Sequence, residues 1–154
     1  MHTLFMRRAI ELSRSNIDNN GGPFGAVIVK NGQIVGEGAN RVTASFDPTA
    51  HAEIVAIRSA CATLKTFNLS DCTIYTSCEP CPMCLSAIYW ARINAIYYAN
   101  TKDDAAALGF DDAFVYREIS LPTAQRKIPA EQLLHAEGLT AFSFWRTKKS
   151  KIHY

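Results

Sequence analysis

Two short motifs far apart in the chain constrain it more than any other feature: His51 and Glu53 in an H-x-E, and Cys81 and Cys84 in a P-C-x-x-C that opens at Pro80. One imidazole and two thiolates make a ligand set suited to a single zinc ion, and Glu53 is left over as a carboxylate that the ion does not need. Three protein ligands plus water leave the open position that separates catalytic from structural zinc, so the combination points to hydrolysis. Any fold that uses it must bring the two segments to one point.

In a helix, positions i and i+3 share a face, so Cys81 and Cys84 can grip one ion from a first turn. His51 and Glu53 stand at i and i+2 and do not share a face, so mid-helix placement would separate them. At a helix start they can converge beyond the helix end, where unpaired N–H groups and the positive dipole end also favour thiolates. Both motifs are therefore expected at helix N-termini. The competing arrangement is a closed Cys₃His site that recruits Cys78, which would be structural and leave Glu53 without a role. Pro80 places Cys78 ahead of the helix, so Cys78 is expected to be a packed residue near the site, and Cys61 and Cys72 to be buried thiols.

At 154 residues and 48% apolar composition the chain is expected to build one domain around one core. Sixteen basic against fourteen acidic residues leave a net charge of +2, far from the cationic excess of a phosphate-binding protein. A small neutral substrate suits this balance, and nucleic acid does not. Five cysteines, an odd number with three crowded between 78 and 84, read as thiols or metal ligands in a reducing compartment rather than as a disulfide framework. Arg7, Arg8, Glu11 and Arg14 break up the first helix-like stretch, and no run approaches the roughly 18 apolar residues of a membrane span. A soluble cytoplasmic protein is expected.

Phe5, Ala9 and Leu12 give residues 3–15 the stripe of a packing helix. Asn31-Gly32 between Ala26–Val29 and Ile34–Gly38 predicts an antiparallel hairpin, because both turn residues need positive φ. A helix follows from Pro48, capped by Asp47 or Thr49, then a strand at Thr73–Thr76. A third helix is opened by Pro80, and a fourth strand at Ala95–Ala99 should run parallel to the third. Further on, short helices are expected at 103–108, around 130–137 and over 141–151, with a loop at Gly109–Asp112 and a tail ending in Tyr154. Trp90, at the far end of the third helix, reads as packing or interface.

Pro48-Thr49-Ala50-His51-Ala52-Glu53 and Cys78-Glu79-Pro80-Cys81-Pro82-Met83-Cys84 resemble the cytidine/deoxycytidylate deaminase superfamily over essentially the whole chain. Gly21–Val27, Ile88–Arg92, the Gly109–Asp112 loop and Tyr154 narrow the resemblance to guanine deaminases of the small bacterial type. The resemblance implies a three-layer α/β/α fold whose five-stranded mixed sheet has helices on both faces, in one zinc-dependent domain over 1–154. It also implies a homodimer whose C-terminal segment, about 139–154, crosses between subunits and sets Tyr154 over the partner's pocket. By the same resemblance His51, Cys81 and Cys84 hold one zinc ion per subunit, Glu53 shuttles protons, and guanine and water become xanthine and ammonia.

For the purine pocket, Phe24 can offer a ring face or be an ordinary core residue, and Asn40 can line a base edge or merely form a turn. Asp112 suits guanine's N–H donors but is also an unremarkable loop aspartate, and the Ala52 backbone can bond substrate between ligand and shuttle. A tRNA adenosine deaminase and a cytosine or nucleoside deaminase share the chemistry and stay as rivals, with a non-enzymatic zinc module as a third class.

Overall fold

Asn31 and Gly32 take φ of 50° and 77° in the computed structural model, which describes residues 1–154. This is the turn that right-twisted strands require. It joins β1 (Gly25–Lys30) to β2 (Gln33–Ala39) in an antiparallel pair with an irregularity between Ile28 and Val29. β1 also pairs antiparallel with β3 (Cys72–Cys78), and β3 pairs in parallel with β4 (Ala95–Asn100), giving the order β2-β1-β3-β4.

The sheet is mixed, as expected, but it has four strands and not five. After Asn100 the backbone turns directly into α5 (Lys102–Ala107), because Thr101 and Asp104 form a reciprocal capping box at its start. No later segment of the chain adds a strand, so β4 is an edge strand with Tyr97 and Tyr98 exposed.

Alternation along β1 sends Val27 and Val29 to one face and Ala26 and Ile28 to the other. The first pair packs with Tyr75 against Phe5 and Ala9 of α1 (His2–Asp18). The second packs with Ile74 against Ala52, Ala56 and Ala60 of α3 (Ala52–Leu64) and Ile88 of α4 (Pro82–Trp90). Helices therefore cover both faces of the sheet, and β1 is apolar throughout because neither of its sides meets water.

Helix α3 lies almost on the backbone of β2. A Cβ at Gly36 would meet Ala56 O and Ala60 N at 2.6 Å, and one at Gly38 would run into Ala52 O and Ala56 N. These obstacles are backbone atoms and cannot swing aside. Gly38→Ala should therefore cost about 2–3 kcal/mol, at the upper end for overpacking. The helix end that carries His51 and Glu53 must move with it, so a lowered urea midpoint should be accompanied by weaker zinc retention.

Both site helices begin later than the sequence suggested. Neither Asp47 nor Thr49 caps α3; the Asp47 carboxylate instead accepts from the Thr49 N–H at 2.8 Å and its hydroxyl at 2.7 Å. His51, with φ −67° and ψ 158°, is the residue at the cap. Likewise Pro80 does not open α4: Cys81 is its N-cap and Pro82 its first residue. A one-turn α2 (Val42–Ser45), unanticipated, precedes this segment.

The chain divides into two compact units, Met1–Asp112 and Ala113–Tyr154. The second holds α6 (Ala113–Ser120), a 3₁₀ turn at Thr123–Gln125 and α7 (His135–Thr147). Only the last residues of the helix expected around 130–137 are helical: Leu134, at φ 51°, interrupts the backbone, and α7 starts at His135. The helix expected over 141–151 starts earlier and ends at Thr147, where the Lys151 ammonium donates to the carbonyls of Trp145 and Arg146. No residue of this unit is buried. No helix of the chain is long and apolar enough to cross a membrane.

Candidate metal centre and pocket

The N-terminal ends of α3 and α4 meet. His51 and Cys81 each occupy a cap position with extended backbone, and Cys84 lies in the first turn of α4. His51 Nδ1 is 3.6 Å from the sulfur of Cys81 and 3.6 Å from that of Cys84, and the three ligand atoms all lie within 4.8 Å of one another. Tetrahedral zinc bonds of about 2.0–2.3 Å imply ligand separations of about 3.5–3.8 Å. Both His51–sulfur separations match that ion, and the set of donor atoms suits it. Glu53, one residue into α3 and only 6% exposed, accepts from Cys84 Sγ at 3.4 Å. The helix-start placement required for an i, i+2 pair is the one found.

The electrostatics call for a cation. Cys81 is held down to about 4, mainly by the Cys84 thiol beside it, with His51 and the Cys84 N–H adding to this against the cost of burial. Cys84 is pushed up first by its Cys81 neighbour, then by burial and the Glu53 charge. Burial raises the Glu53 carboxyl, and the Cys81 charge adds to it, while hydrogen bonding to Cys81 raises His51 against desolvation. Three acidic groups thus converge with a single base, and a divalent cation can discharge the remaining thiol proton and pair the charges.

Cys78 stands apart from this cluster. Its sulfur donates to the Thr101 carbonyl at 3.5 Å, and burial pushes it up to about 11. The cluster that can hold a metal comprises His51, Cys81 and Cys84 alone, so a closed Cys₃His site is not what forms. Cys72 is buried in the core and Cys61 packs against it.

Above the cluster opens a cavity of about 520 Å³, within the range of small-molecule sites, lined wholly by the first unit. Phe24, Asn40, His51, Glu53, Cys81 and Asp112 all line it. Phe24 meets Phe110 edge-on, with centroids 5.0 Å apart and planes at 87°. Both readings of Asn40 hold at once: its Oδ1 accepts from the Val42 N–H at 3.2 Å, forming a turn, while the residue faces the cavity. Asp112 is raised by burial first and by the Cys81 charge second.

Two expected pocket residues are not among the lining. Ala52 is fully buried beneath β2, and Tyr154 ends the second unit, 72% exposed. Trp90 is exposed rather than packed.

Sequence reading missed Asn16, Phe110, Glu79 and Lys102. Asn16 is buried, and its Nδ2 donates to the carbonyls of Gly22 at 2.8 Å and Asn40 at 2.9 Å, pinning the two segments that carry Phe24 and Asn40. It continues the stripe Phe5, Ala9, Ser13, and a polar residue on an apolar stripe was the available signal. Phe110 lies in the Gly109–Asp112 loop, two residues before the aspartate that the sequence points to.

A mixed sheet between helix layers, with His, Cys and Cys held at two helix ends beside a buried carboxylate, defines a zinc-dependent deaminase of the cytidine-deaminase type. The family model for the cytidine and deoxycytidylate deaminase zinc-binding region matches residues 1–100, and the chain belongs to this family. It is 53% identical over 154 residues to guanine deaminase of Bacillus subtilis (strain 168), covering 99% of each protein. The X-ray structure of guanine deaminase from Bacillus subtilis superposes with a TM-score of 0.97 over 100% of this chain and 99% of that one. The tRNA-specific adenosine deaminase of Agrobacterium fabrum (strain C58) is 42% identical over 96 residues, 62% of this chain and 63% of that protein.

Proposed function

We propose that this chain catalyses the hydrolytic deamination of guanine to xanthine and ammonia. The observation that carries the reading is one cavity lined by His51 and Cys81 of the metal cluster and by the buried Glu53 together with Phe24, Asn40 and Asp112. The near-full-length similarity to the Bacillus subtilis enzyme supports guanine as substrate.

His51, Cys81 and Cys84 hold the zinc. When bound, the ion supplies Lewis acidity that makes water a nucleophile near neutral pH. Glu53 would take one proton from the attacking water and deliver it to the ring nitrogen beside the reacting carbon, then take the second proton from the hydroxyl now on that carbon and deliver it to the departing amine. Burial keeps its carboxyl above the ordinary carboxylate range, so it can hold a proton between the two deliveries. Asp112 accepts from guanine's N–H donors, the Asn40 amide pairs along the base edge, and Phe24 offers a ring face. The Ala52 backbone, at the first position of α3, adds a hydrogen bond to the base.

Glu53, Glu79, Asp111 and Asp112 line the cavity against one lysine, Lys102, a balance that suits a neutral base better than an RNA backbone. The second unit leaves Leu139, Phe142, Phe144 and Trp145 exposed, Phe144 to 76%, more apolar surface than a small unit leaves open to water. A homodimer in which the segment from about 139 to 154 crosses to the other subunit covers it, and places Tyr154 over the partner's pocket. Five free thiols suit the cytoplasm.

Ammonia release should be measured across guanine, guanosine, cytosine, cytidine, adenine and structured tRNA, with the full chain and with a chain lacking the last few residues. Guanine is expected to be turned over selectively, and the shortened chain to lose this activity while keeping its zinc. Release confined to structured RNA would overturn the reading in favour of tRNA adenosine deamination, and release confined to cytosine or cytidine would do so in favour of a pyrimidine enzyme.

A further inference from the structure

Six of the residues lining the cavity, Lys102, Ala105, Gly109, Phe110, Asp111 and Asp112, belong to α5 and the loop after it. None of them shares an element with the metal cluster, which sits on α3 and α4. The wall is joined to the metal side by Cys78 and Glu79, in the segment Cys78-Glu79-Pro80 that leads into Cys81. The Glu79 N–H donates to the Asn100 carbonyl at 2.8 Å, and Cys78 Sγ donates to the Thr101 carbonyl. Glu79 Oε2 accepts from the Lys102 N–H at 3.1 Å. Lys102 is the first residue of α5, so its amide has no acceptor within the helix, and a carboxylate there is favoured by the helix dipole as well. The capping box satisfies Thr101 and Asp104 but leaves that amide to Glu79. At the far end, Gly109 has φ 89° with nothing near its Cβ position, and the ring contact of Phe110 with Phe24 meets the opposite wall.

We propose that Glu79 is a positioning residue, whose hydrogen bond to the first amide of α5 fixes the wall bearing Phe110 and Asp112 against the metal-binding loop and so sets substrate affinity. This rests on the cavity being the guanine site. The zinc ligands and Glu53 do not depend on α5, so the loss should fall on binding rather than on chemistry.

The test uses the zinc-loaded full chain with E79A, E79Q and E79D. In E79A the KM for guanine should rise about tenfold with kcat changed by less than about twofold, the pattern of lost uniform binding. Zinc content should stay at the wild-type value, and amide exchange should accelerate over 101–112 alone. E79Q, whose amide oxygen still accepts from Lys102, should recover most of the wild-type KM, while E79D, one methylene short, should resemble E79A; these two decide the matter if E79A does not fold. An unchanged KM in E79A, E79Q as impaired as E79A, or loss of zinc would each overturn the proposal. The exchange measurement needs no substrate, so local loosening in E79A beside a wild type inert towards guanine would count against the guanine reading and not against the tether.

Discussion

Glu53→Gln is expected to leave the zinc content of the purified protein unchanged and to lower ammonia release on the order of 10⁴-fold, the upper range for a general acid–base group. The amide has nearly the shape of the carboxylate, so the buried position, only 6% exposed, is refilled without a cavity. Its amide N–H can donate to the Cys84 thiolate, and the metal cluster, which does not include this residue, keeps all three of its ligand atoms. What disappears is the ability to take up and release a proton. A single carboxyl is asked to do this at more than one point in the reaction, so no other step can compensate. Metal content by elemental analysis and initial rates with guanine read the two halves separately. A variant with full zinc and a rate within tenfold of wild type would remove the shuttle from the mechanism.

The parts of the fold that were legible beforehand are those fixed by local stereochemistry. Asn31-Gly32 dictates a hairpin because few other pairs accept two positive φ values, and the antiparallel hairpin formed there as expected. The metal motifs were legible because spacing alone forbids His51 and Glu53 from acting together in mid-helix, which left only a helix end. The cap itself was misjudged: Asp47 is a good capping residue, yet it closes a turn on Thr49, and this leaves the His51 imidazole at the helix terminus to face sulfur.

Non-local features escaped. Whether β4 gains a neighbour depends on a remote segment, and nothing in Ala95–Asn100 says that the next residues will enter a capped helix instead. Asn16 and Glu79 act by holding backbone from elsewhere in the chain; the helical stripe marks Asn16 as buried but not what it holds, and Glu79 falls on no periodic pattern at all.

Cys84→Ala tests the ligand set from the opposite direction to Glu53→Gln, because here the metal itself should go. Cys84 is fully buried, and its loss leaves His51 and Cys81 as the only groups of the cluster, too few to hold zinc against competing chelators. Activity should fall to the uncatalysed level. The effect on stability carries more information. A ligand that binds only the folded state stabilises it by about 4 kcal/mol at a thousand times its dissociation constant, which in a chain of this size is roughly 10 °C of melting temperature. Chelation should therefore lower the melting temperature of the wild type by that order and leave Cys84→Ala where it was. In the metal-free wild type, Cys81, Cys84 and Glu53 crowd three acidic groups around His51, and removing one of them relieves that crowding while opening a small cavity. The variant and the chelated wild type should consequently melt at similar temperatures. Cys78→Ala serves as the contrast, since its sulfur bonds the Thr101 carbonyl outside the cluster, and it should keep both its zinc and its sensitivity to chelation. If Cys84→Ala still carried stoichiometric zinc while Cys78→Ala lost it, the ion would belong to a different set of ligands, and the open coordination position on which hydrolysis depends would have to be relocated.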